Sequence, residues 1–114
     1  MTALVDETMA VAGGQWEASS QPGRVFCELP DGVEGEGAAL LLGVRSAART
    51  GEDPAALMAR VAALWESRGY VVRLSADEAF GRAPDGGSVS LLIGPPDGRM
   101  ALSGEGACRL RPPP

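Results

Sequence analysis

The chain has 114 residues, enough for one hydrophobic core and too few for two. Its net charge of −5 argues against nucleic acid as a partner, because such binding needs a basic field. All ten basic residues are arginine, and there is no histidine, so Ser-His-Asp and Cys-His catalysis, His-containing zinc sites, Schiff-base lysines and phosphate-loop lysines are excluded.

The N-terminus, MTALVDETMAVAGG, lacks the basic region of a signal peptide, and Asp6 and Glu7 interrupt any apolar run. Val5, Met9, Ala12 and Trp16 fall at helical spacing, which predicts a short helix over 3–12 ended by Gly13 and Gly14. SSQPG at 19–23 is a turn. RVFCELP alternates, so Val25, Cys27 and Leu29 share one face of a strand while Arg24, Phe26 and Glu28 share the other. DGVEGEG is a glycine-and-carboxylate loop. The run AALLLGVRSA over 38–47 predicts a central strand buried on both faces.

In EDPAALMARVAALWESRGY, Asp53 is a natural N-cap, with Pro54 at the first helical position. Leu57, Met58, Val61, Leu64 and Trp65 form one apolar stripe, and Gly69 suits the position just past the helix end. YVVRL at 70–74 is a strand entered directly from that helix. SADEAFGRA carries either a turn or a continuation of it. Past the PDGG turn, SVSLLIG alternates with Val89, Leu91 and Ile93 on one face. GPPDG at 94–98 turns the chain into RMALSG, with Met100 and Leu102 inward. GACRL then forms a last short strand, with Cys108 and Leu110 on one face, before PPP ends the fold.

The order helix, two strands, helix, then three or four turn-linked strands predicts an α+β fold. It is a two-layer sandwich, a mainly antiparallel sheet with two helices packed on one face. It forms a single domain over 1–114, with its core at about 3–110 and a Pro-rich tail at 111–114. The longest apolar stretch, GAALLLGV, falls far short of the roughly 18–20 residues of a membrane span.

Cys27 and Cys108 both fall on the inward phase of their strands, at opposite ends of the domain. Neighbouring strands would bring them within disulfide reach. The alternative is two buried thiols acting as small hydrophobes. Other candidate sites are sparse. Asp31, Glu34 and Glu36 gather carboxylates of a kind that hard cations favour, but without EF-hand spacing. Asp77 and Glu78 could serve acid/base chemistry only in a cleft. Arg45 and Arg49, at an even offset, and Trp16, after a glycine pair, are the candidate contacts to a partner. No cofactor is expected.

GEDPAALMARVAALWESRGYVV, APDGGSVSLLI and RMALSGEGAC together resemble the mature domains of small actinobacterial secreted proteins and lipoproteins of unknown function, over roughly residues 25 to 110. The resemblance implies an Asp-Pro-started helix, a Gly-Tyr strand, a Pro-Asp-Gly hairpin and a late cysteine whose expected partner is Cys27. It brings no catalytic residues. The chain shows neither a signal peptide nor a lipobox cysteine. The expectation is a non-enzymatic, disulfide-stapled envelope or secreted domain that binds a protein or an envelope component. The alternative is a cytoplasmic adaptor, secretion chaperone or immunity-type protein with reduced cysteines.

Overall fold

A computed structural model describes residues 1–29, 31–48, 51–94 and 98–111. Arg49, the centre of the GPPDG turn and the terminal PPP lie outside the described residues. The elements, in chain order, are α1 (Thr2–Ala12), β1 (Glu17–Ala18), β2 (Gly23–Cys27), β3 (Gly37–Ala47), α2 (Pro54–Ser67), β4 (Val71–Leu74), β5 (Glu78–Arg82), β6 (Ser88–Ile93), β7 (Met100–Glu105) and β8 (Arg109–Leu110). The strands form one antiparallel sheet in the order β1-β3-β7-β6-β5-β4, and β2 and β8 both add to β3. The helices pack against this sheet, the α+β arrangement that the sequence predicts.

The second helix forms where its end signals place it. The amide of Ala56 donates to the Asp53 carboxylate at 3.2 Å, Pro54 opens the first turn, and Gly69 takes φ 87° just beyond the end. Leu57, Met58, Val61 and Trp65 are buried on the sheet. Trp65 is fully buried, so its indole N–H needs an acceptor. It donates to Thr8 Oγ1 of α1 at 2.9 Å, and the Thr8 hydroxyl donates onward to the carbonyl of Leu4 at 2.7 Å. The Arg68–Glu7 ion pair ties the same two helices at the surface.

Beneath Trp65 lies β5, the segment for which the sequence leaves a turn or a continuation open. Its inward positions are Ala79 and Gly81, both buried. A Cβ on Gly81 would stand 2.9 Å from Trp65 Cε3 and 3.2 Å from Val89 Cγ1. The strand is thin on that face because the indole occupies the space. The opposite, open face of the sheet carries Arg73, Phe80, Arg82, Ser90 and Ser103 in register, with no helix over it among the described residues.

β3 departs from expectation. It is central in pairing, yet only Gly37, Ala39 and Ala47 along it are buried and 41–46 are half-buried, because the helices pack over β4, β5 and β7 and not over β3. Between Leu41 and Val44 the register with β7 shifts. Gly43 takes φ 80°, and a Cβ there would meet the carbonyl oxygen of Ser20 at 2.7 Å, so only glycine suits this bulge.

Candidate functional site

The fully buried core draws on residues 4–12, 47–65 and 79–102; nothing described between 13 and 46, or after 102, belongs to it. The molecule therefore has a second part, a three-stranded ribbon of β2, the N-terminal half of β3, and β8. Register places Cys27 and Leu110 on either side of Gly37. The Cys27–Cys108 disulfide passes over β3 at this point, with Cα atoms 5.9 Å apart and a sequence separation of 81. The two cysteine strands do not pair with each other; both pair with β3, and the bond crosses it. Gly37 makes the crossing possible. A Cβ there would lie 2.7 Å from Cys108 Sγ and closer still to the carbonyl oxygen of Cys27. In place of a hydrophobic core, this ribbon has a covalent tie. In the chain-entropy account, closing so long a loop destabilises the unfolded chain by about 4.5 kcal/mol.

The disulfide lies on one face of the ribbon. Strand pairing collects Arg24, Phe26, Ala38, Leu40 and Arg109 on the other face. Phe26 is 76% exposed, the most exposed of the large apolar side chains. The Arg111 guanidinium stacks 5.6 Å from its ring centre, a cation–π distance, and is itself held by the Glu36 carboxylate at 3.1 Å. Arg109 reaches Asp85 at 4.0 Å. A depression of about 420 Å³ between Arg24, Leu40, Asp85 and Arg109 sits on this face. Three arginines around an exposed aromatic thus stand together on a chain of net charge −5.

The residues singled out in the sequence lie elsewhere. Trp16 is half-buried against the core, and its Nε1–H donates to the carbonyl of Gly13 at 2.9 Å. Arg45 is half-buried and donates to the carbonyl of Leu42 at 3.3 Å. The sequence phase sets Cys27, Cys108 and Leu110 inward; the register shift at Gly43 instead turns their face of the ribbon to the open side of the sheet, and Leu110 is 57% exposed, lying over Gly35 of the acidic loop. Glu78 accepts from the Ser90 hydroxyl at 3.0 Å, and β5 lies three strands away from the 31–36 loop, so these carboxylates do not converge. Among the described residues no group of three or more metal-ligating side chains forms, and no helix is long and apolar enough to cross a membrane. Burial, and secondarily the Asp85 carboxylate, raise the Tyr70 phenol above its ordinary value of 10.0.

Two sequence signals point to the ribbon face. The outward phase of Arg24 and Phe26 is one, and the Arg-Leu-Arg alternation at 109–111 is the other. Their meeting needs the pairing of β2 and β8 with β3, which joins segments some 80 residues apart. Compared with family models, with curated proteins and with solved structures, the chain matches none.

Proposed function

We propose that the chain is a non-enzymatic binding domain of the cell envelope or the secreted fraction. Its partner is a protein, which docks on the ribbon face around Phe26. One observation carries the reading: a covalently tied ribbon, outside the core, holds an aromatic ring 76% exposed among Arg24, Arg109 and Arg111. Aromatic and arginine side chains are the residue types that dominate binding energy at interfaces. Water contact over most of a phenylalanine is unfavourable, and a partner surface would remove it. The arginines favour an acidic or carbonyl-rich rim on that partner. The disulfide supports an oxidising compartment, where such bonds persist. The absence of histidine and lysine from the sequence supports binding over catalysis.

Two measurements test this. Thiol labelling of denatured, unreduced protein from its native cells should find no free thiol. Two reactive thiols would overturn the compartment and favour the cytoplasmic adaptor. A photo-crosslinking side chain in place of Phe26 should give a discrete protein adduct in those cells, and the same side chain at exposed Glu66 of α2 should not. No adduct at Phe26, or the same adducts at both positions, would remove the docking face.

A further inference from the structure

The second surface lies at the other end of the sheet and does not depend on the ribbon. β4 is the terminal strand of the order, and among the described residues only β5 pairs with it. The hairpin between them closes with the Ser75 amide donating to the Glu78 carbonyl at 2.9 Å. Antiparallel ladders alternate from such a pair, so Arg73 and Val71 exchange their bonds with Phe80 and Arg82. Val72 and Leu74 therefore turn their N–H and C=O groups to the open edge. Val71 is 74% exposed and Leu74 53% exposed. The strand carries no proline and no bulge, two of the usual means of blunting an edge.

The flanking chemistry selects what can add there. Arg73 and Arg82 hold their guanidinium groups 5.9 and 5.5 Å from the ring centre of Phe80, on the open face. Arg60, Arg68, Arg99, Arg109 and Arg111 each reach a carboxylate within 4.0 Å; among the described residues neither Arg73 nor Arg82 does. Depressions of about 500 and 520 Å³ lie on either side of the Arg73–Phe80 pair. A second copy of the chain is a poor occupant. Antiparallel self-pairing that bonds Val72 to Leu74 sets Arg73 opposite Arg73, and every self-pairing through these two residues gathers four arginines, Arg73 and Arg82 of each copy, on one face, where like charges destabilise a sheet.

We infer that the β4 edge accepts an extended acidic segment of a partner protein by strand addition. Its backbone pairs with Val72 and Leu74, and alternate Asp or Glu side chains meet Arg73 and Arg82. Alternate side chains of an added strand stand about 7 Å apart on one face, a spacing that suits a pattern of acid, any residue, acid.

The test uses the oxidised full-length protein and a labelled peptide, acetyl-TVEVEVT-amide, read by fluorescence anisotropy and amide hydrogen exchange. The peptide should bind and slow exchange at Val72 and Leu74. Its Glu→Lys version should not bind. Methylating the peptide amides should abolish binding for one alternating set and spare the other. Arg73→Gln with Arg82→Gln should weaken binding about tenfold, in keeping with two exposed ion pairs, while Phe26→Ser leaves it unchanged. Equal binding of the lysine peptide, insensitivity to both methylation sets, or protection away from β4 would each overturn the inference. So would a dimer that protects Val72 and Leu74 without any peptide.

Discussion

Replacing Gly37 by alanine tests the account of the ribbon directly. The new Cβ would lie 2.7 Å from Cys108 Sγ, 3.1 Å from Leu29 Cγ and closest of all to the carbonyl oxygen of Cys27. Relaxed contacts between carbon atoms begin near about 3.5 Å, so the disulfide or the strand must move by close to an ångström. Two outcomes bound the cost. If the bond survives, overpacking costs about 1–3 kcal/mol. If it cannot form, up to about 4.5 kcal/mol of loop-closure stabilisation goes with it. For a chain of this size the first corresponds to a fall in Tm of about 4–12 °C. The assay is urea unfolding with thiol counting, run on Gly37→Ala alone and on the same substitution beside Cys27→Ala and Cys108→Ala. Removing the sulfur should lower the alanine penalty by the share that the Sγ contact contributes, about 1 kcal/mol or more, and leave the share that comes from the Cys27 carbonyl oxygen, because neighbouring groups couple and distant ones add. Full oxidation of Gly37→Ala with unchanged stability would refute the reasoning. An equal penalty in both backgrounds would do so too, since glycine would then serve strand pairing and not the crossing.

Reducing the disulfide should release the ribbon before the core. Amide exchange should accelerate in β2, β8 and the first half of β3, and hold in α2 and β5–β7, because local opening follows the distribution of buried contacts. Thr8→Val keeps the shape of the side chain but leaves the Trp65 N–H without its acceptor. It should lower unfolding free energy by about 1–3 kcal/mol, while Thr8→Ser recovers most of it by chemical denaturation. Tyr70 should titrate by ultraviolet absorbance above 10.0, and Asp85→Asn should move its midpoint part of the way down. Since the folded state holds that proton more tightly than the unfolded one, this group's contribution is intact below pH 10 and is lost as pH rises through the folded pKa.

What the sequence makes legible follows from how local each signal is. Asp53, Pro54 and Gly69 specify α2 within a few residues of its ends, and Trp65 sits on the stripe that packs it. β6 and β7 read clearly because Val89, Leu91, Ile93, Met100 and Leu102 all face the helices. β5 does not, because the bulk that fills its inner face belongs to Trp65 and leaves Ala79 and Gly81 as its own contribution. The cysteine pairing is legible from the even count and the placement at the two ends of the domain; its face and its crossing over Gly37 are not, since they depend on a register shift and on a strand that lies between the two. Phe26 shows its outward phase in seven residues of sequence, but its arginine neighbours arrive from residues 109–111. The open edge of β4 is a property of strand order and leaves no mark on YVVRL itself.

The bulge at Gly43 has a further consequence, because strand faces alternate with a period of two. On the core side of the bulge, Ala47 and Arg45 share the helix face with Met100 and Leu102. On the ribbon side, the pairing of Leu41 with Glu105 puts the odd-numbered residues, and the disulfide with them, on the open face. The single inserted residue thus works as a parity switch between the two halves of β3. Deleting Gly43 would restore strict alternation and exchange the ribbon's two faces. Phe26 and its arginines would look out from the open side of the sheet, and the sulfur bridge would face the helices.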